Sequence, residues 1–98
     1  MNQPTTLGGG LAIHIINGSH GYTFTGCQLW YGNIKIENSQ GIIISNSLFG
    51  NYAVKINVSG DYPAFFLGNI FKQAPTELIV NSNTKFINNW TMTGTIVE

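Results

Sequence analysis

Few side chains in this 98-residue sequence can do acid–base, metal or nucleophilic chemistry. The carboxylates are Glu37, Asp61, Glu77 and Glu98, and the lysines are Lys35, Lys55, Lys72 and Lys85. Glycoside hydrolysis needs two carboxyl groups placed across the scissile bond. Glu37 closes an apolar burst, and Asp61 lies in the long connection SGDYPAF about one repeat further on, so the two form a candidate catalytic pair. Each also has a plain role, as a solvated strand-end residue and a turn-former, and the chain is read as a non-enzyme with no catalytic residue. His14, between Ile13 and Ile15, is expected to face outward on a strand, and His20 to sit in a bend. A metal site asks for more ligands in a common geometry, so neither a metal nor a cofactor is expected. Cys27 is the single cysteine, which rules out an internal disulfide. Its expected role is that of a small buried residue.

The aromatic residues carry more interest. Trp30, Tyr31, Tyr52 and Tyr62 stand near asparagines and could stack on sugar rings if they face outward, which makes them the candidate glycan-binding set. Facing inward they would be core or subunit interface. Asn17-Gly-Ser, Asn57-Val-Ser and Asn89-Trp-Thr match the N-glycosylation pattern, a chance-level match in a chain so rich in these residues.

Composition narrows what could position such groups. Charged residues are 8% of the chain, against roughly 25% in ordinary soluble domains. Net charge is zero and arginine is absent, so no basic stripe for nucleic acid can form. No apolar run approaches the ~18 residues of a membrane span. The opening MNQPTTLGGG is polar and loop-like, unlike a signal peptide. Residues 1–11 are read as an extension or linker, on a piece of a longer protein, and 12–98 as the folded domain. Asn, Ser, Thr and Gly supply the polarity. Isoleucine is abundant and strong helix formers are scarce, which predicts an all-β fold.

An internal repeat organises the rest. Similar segments begin at Ile13, Ile34, Val54 and Leu78, with a fifth start at Ile96, spaced by 21, 20, 24 and 18 residues. A period near twenty signals a solenoid. The second unit holds three apolar bursts, IKI, GIII and SLF, separated by NSQG and SN. Such bursts are too short for helices and alternate as strands do, while Asn and Gly suit the left-handed bends between them. About four coils, each of three short strands, are expected. Ile15, Ile36, Ile56 and Val80 would stack as one inward column, and Leu29, Leu48, Ile70 and Trp90 as another. Asparagine amides at equivalent bends could form a ladder, with Asn17 over Asn38 as one pair and Asn46, Asn69 and Asn89 as a longer run.

The repeated I-x-I-x-N-S-x-G-I-x-I-x-N-S-x-F pattern resembles the right-handed parallel β-helix of the pectin-lyase-like superfamily over roughly residues 12–97. That superfamily includes lyases, hydrolases, adhesins and phage tailspikes, so the fold does not fix the function. Pectate-type lyase chemistry would require a calcium-binding acidic cluster and a basic group, commonly arginine, and the sequence has neither such a cluster nor an arginine. The short, weakly charged solenoid most resembles the coils of trimeric phage tailspikes. The resemblance implies a homotrimeric virion or extracellular module that binds a host-surface polysaccharide, with no nucleic-acid partner and no membrane insertion. The alternatives are a fragment of a polysaccharide-degrading tailspike, with Glu37 and Asp61 as its acids, and an adhesin or trimerisation module. Aligning Phe65 with Ile42 makes Thr23, Ile43 and Phe66 the outward members of their triplets. Ile43 and Phe66 are therefore expected in the subunit interface.

Overall fold

Short runs of β-branched and aromatic residues cannot pay the nucleation cost of a helix, but they complete a pleated rung when a neighbouring rung lies beside them. The computed structural model describes residues 11–30, 32–50 and 53–98. The first strands are β1 (Leu11–Ile15), β2 (Thr23–Thr25) and β3 (Gln28–Leu29). They are followed by β4 (Asn33–Glu37), β5 (Ile42–Ser45) and β6 (Leu48–Phe49), then β7 (Lys55–Ser59), β8 (Ala64–Leu67) and β9 (Ile70–Phe71). The last are β10 (Glu77–Val80), β11 (Lys85–Ile87), β12 (Asn89–Thr91) and β13 (Ile96–Val97). The chain visits three sheets in rotation. Sheet I has the order β1-β4-β7-β10, sheet II β11-β8-β5-β2 and sheet III β13-β12-β9-β6-β3. All pairings within the rotation are parallel. The fold is a right-handed parallel β-solenoid.

The inward residues stack rung on rung. Ile13, Ile34, Ile56 and Leu78 form one column of sheet I, and Ile15, Ile36, Val58 and Val80 the other. Sheet II contributes Phe24, Ile44, Phe66 and Phe86, and sheet III Leu29, Phe49, Phe71 and Thr91. The rings of Phe49 and Phe71 stack with centroids 4.4 Å apart, and those of Phe66 and Phe86 with centroids 4.8 Å apart. These separations match the roughly 4.8 Å between neighbouring strands, so each ring rests flat on the one below. Cys27 is buried and unpaired, as its small apolar character implies.

Several expected registers are corrected. Ile56 stacks on Ile34, and Val58 takes the place expected for Ile56 over Ile36. The connection from β6 to β7 is two residues longer than that from β3 to β4, and a slip of two preserves which side chains face inward. A slip of one does not. Leu48, Ile70 and Trp90 do form a column, but it faces outward below Gln28, while Leu29 belongs to the inner column. Strands of two residues have too little alternation to reveal their parity. Phe66 is likewise inward and 0% exposed. Ala64, not Phe65, stands over Ile42, so Phe65 is the outward residue beside Ile43. The segment at Ile96 does not begin a fifth coil. It returns as β13, antiparallel to β12, through a turn in which the Thr91 amide donates to the Thr95 carbonyl and the Gly94 amide to the Thr91 carbonyl.

The ladder runs through Asn69 and Asn89 as expected, but not through Asn46. Asn69 and Asn89 are fully buried, and the Asn69 backbone and side-chain nitrogens both donate to Asn89 Oδ1, at 3.0 and 2.9 Å. Ser47, not Asn46, precedes them: its amide donates to Asn69 Oδ1, and its hydroxyl accepts from the Cys27 amide. Asn69 and Asn89 also donate to the carbonyls of Ile44 and Phe66. Each rung's corner thus satisfies the backbone of the rung before it, the condition for burying polar groups without loss. This burial also removes Asn89 as a glycosylation acceptor in the folded chain. Asn38 plays a capping role, accepting through Oδ1 from the Asp61 amide.

Candidate functional site: the outer faces and the corner groove

With the inner columns filled, only outward side chains and corners are free for function. The outer face of sheet I is polar except at Ile79, 54% exposed beside Asn57. His14, Lys35 and Asn57 run across it in one row, and Lys55 is opposite Glu77 in another. Glu37, at the end of β4, lies 3.4 Å from Lys35 Nζ through Oε2 and 3.5 Å from His14 Nε2 through Oε1. Partial loss of solvent raises the Glu37 pKa. Hydrogen bonding and charge from Lys35, then from His14, outweigh that and hold it below the ordinary carboxylate value. A general acid for glycoside cleavage requires the opposite shift. Asp61 is exposed in the turn after β7, and its backbone is held by Asn38 and Asn83. No contact joins it to Glu37. His14 faces outward and His20 sits in an exposed bridge to Gln40, as expected. Among the described residues no three His, Cys, Asp or Glu side chains converge as metal ligands, and no helix is long and apolar enough to cross a membrane.

Sheet II presents a different exterior. Its outward rows are Thr23, Ile43, Phe65 and Lys85, and Thr25, Ser45, Leu67 and Ile87. Ile43, Phe65 and Leu67 are half-buried, and Ile87 is 56% exposed. Sheet III continues the apolar character with Leu48, Ile70, Trp90 and Ile96.

Of the expected glycan-binding aromatics, the two among the described residues, Trp30 and Tyr62, stand at different corners. Trp30 is exposed at the corner after β3, against Gly50, where any β-carbon would collide with its ring. Tyr62 is exposed at a different corner, between sheets I and II. Tyr31 and Tyr52 lie outside the described residues.

The corner between sheets II and III was not anticipated from the sequence. Gly26, Asn46, Gly68 and Asn88 occupy equivalent places there, with φ of 66°, 48°, 65° and 59°. Only glycine and asparagine adopt this left-handed conformation readily, and it turns the chain between two strands in two residues. A shallow groove of about 430 Å³ opens on the sheet III side of this row, bordered by Gln28, Asn46, Leu48 and Ile70. A second of about 540 Å³ opens on the sheet II side, bordered by Asn46, Leu67, Ile87 and Asn88. The legible signal is the alternation Gly-Cys, Asn-Ser, Gly-Asn, Asn-Asn at Gly26, Asn46, Gly68 and Asn88. No protein-family model, curated protein or solved structure matches the chain.

Proposed function

We propose that this chain is a structural and receptor-directed module of a virion appendage of the phage-tailspike type. Three copies pack side by side through the row of Ile43 and Phe65 on the outer face of sheet II, leaving the row of Leu67 and Ile87 at the corner uncovered, and present a surface for a host-cell glycan outside the cell. The reading rests on the contrast between the polar exterior of sheet I and the apolar exterior of sheet II. Stacked apolar residues on one face mark a surface that is covered in use, and a parallel solenoid offers that face as a flat panel. Phe65 replaces Phe66 in the interface with Ile43. The solenoid is rigid for a physical reason: every rung is bonded along its length to the next, so the outer positions keep a fixed spacing.

Sedimentation tests the assembly. The parent chain should run as a trimer, and Ile43→Lys with Phe65→Lys should run as a folded monomer, because like charges would meet around the symmetry axis. A monomeric parent, or a double variant that stays trimeric, overturns it. The module is further proposed to bind without hydrolysing. The Glu37 carboxylate, engaged by Lys35 and His14, supports this. Reducing-sugar release from a host polysaccharide, lost in Glu37→Gln or Asp61→Asn, would reverse the non-enzyme reading.

A further inference from the structure

We propose that the groove along the corner between sheets II and III binds a neutral oligosaccharide lying parallel to the solenoid axis. The inference rests on the glycan-binding reading above and places the site away from Trp30 and Tyr62. It starts from unused hydrogen-bonding groups. Asn38, Asn69, Asn81, Asn83 and Asn89 spend their side chains on the protein's own backbone or on one another. The exposed amides of Gln28, Asn46 and Asn88 make no hydrogen bond to any described residue. An amide offers donors and an acceptor side by side, the pattern that paired sugar hydroxyls require.

Charge narrows the ligand further. Neither half of the groove is bordered by Lys, Asp or Glu. A phosphate, uronate or sialate would find no counter-charge there, whereas a neutral sugar needs none. Leu48 and Ile70 on one flank, and Leu67 and Ile87 on the other, offer apolar surface to the C–H faces of the rings. Asn46 and Asn88 stand two rungs apart, roughly 10 Å. One hexose is about as long as one rung is tall, so the two amides would meet alternate sugars, with Gly68 leaving the backbone open between them. An extended peptide fits less well. The corner amides of Gly26, Asn46 and Gly68 already donate to the carbonyls of Ser45, Leu67 and Ile87, so these three offer no backbone donor for strand addition.

The test is an array of neutral and anionic oligosaccharides. It is followed by NMR titration of the ¹⁵N-labelled chain with the retained glycan and with a neutral Gly-Ser peptide of equal length. Retention of a neutral glycan is expected, with shifts in the side-chain amide signals of Gln28, Asn46 and Asn88. Asn46→Gly with Asn88→Gly keeps the left-handed corner, as Gly26 and Gly68 do. It should leave the melting temperature unchanged and weaken binding by roughly tenfold or more. Retention of anionic glycans alone, or equal shifts with the peptide, overturns the proposal. Signals that move with protein concentration instead of sugar overturn it too, by assigning the groove to a contact between copies. A neutral glycan whose binding is lost in Trp30→Ala or Tyr62→Ala, and kept in the asparagine variants, sinks this site while the glycan-binding function stands. Retention of no glycan sinks both.

Discussion

Sheets I and II are alike inside and opposite outside. Inside, both stack large apolar residues in unbroken columns, Ile15-Ile36-Val58-Val80 in one and Phe24-Ile44-Phe66-Phe86 in the other. Outside, sheet I carries Lys35, Glu37, Lys55 and Glu77, half of the chain's eight charged residues. The exterior of sheet II carries Lys85 among Ile43, Phe65, Leu67 and Ile87. In a strand the two faces are set by alternate positions, so each can be composed independently. The inner positions specify the solenoid. The outer ones decide which panel meets water and which meets another molecule.

The sharpest way to break this division is on a single strand. Ile36 is inward and Lys35, its neighbour in β4, is outward. Ile36→Asp should prevent folding, since it buries an unpaired charge. Ile36→Ala should leave a cavity and cost about 2–5 kcal/mol. Lys35→Ser should change stability by less than about 0.5 kcal/mol. Thermal melts by circular dichroism would show it, and an Ile36→Asp chain that melts like the parent would remove the inner column from the account.

A second comparison sets the two kinds of corner asparagine side by side. Asn88 and Asn89 are adjacent, one exposed and one fully buried. Asn89→Ala leaves the buried Asn69 backbone amide without its partner and removes one bond to the Phe66 carbonyl, at about 1–3 kcal/mol for the group stranded. Asn88→Gly keeps the left-handed turn and should be close to neutral. Equal losses in chemical denaturation would mean that the ladder is not what holds the corner.

How far the sequence reveals this follows from the same parity. The roughly twenty-residue repeat, the three strands per turn and the inward place of Ile36 are legible because sheet I strands of four or five residues show their alternation. The two-residue strands of sheet III do not, and Leu48, Ile70 and Trp90 were therefore assigned to the wrong face. Phe65 and Phe66 are chemically identical, so only the length of the Asp61-Tyr62-Pro63 connection decides which is core. Asn46 and Asn69 look alike in sequence, and a shift of one residue separates a turn-former from a ladder member. The corner groove was hidden for that reason.

The two ends of the solenoid extend the contrast from faces to edges. Beyond the last rung, β10 and β11 have no further strand among the described residues, while β12 is covered by β13. Uncovered edges invite pairing with other chains. Deleting residues 95–98 should add a third open edge beside the other two and uncover the side of sheet III that Val97 fills. Light scattering should then rise with protein concentration faster than for the parent. Unchanged scattering would mean that β13 is an appendage and not a cap.

The smallest effect tests whether the charged exterior of sheet I does anything for the fold. The Glu37 pKa is lowered in the folded chain. A carboxylate with a depressed folded pKa contributes stability above its unfolded value, near 4.3 for glutamate, and loses that contribution as pH falls through the lower folded value. The contacts are exposed, and the one to His14 is ionic only when the imidazole carries a proton. Surface pairs of this kind are weak and are screened by salt. Glu37→Gln should therefore melt within a degree or so of the parent at neutral pH. Any deficit should shrink in acid and vanish once the parent's carboxyl is protonated. Raising the salt concentration at neutral pH should erase it as well. A deficit that grows towards low pH, or that survives high salt, would mean that Glu37 supports the solenoid through packing. The division between a structural interior and a free exterior would then fail on the face where it looks cleanest.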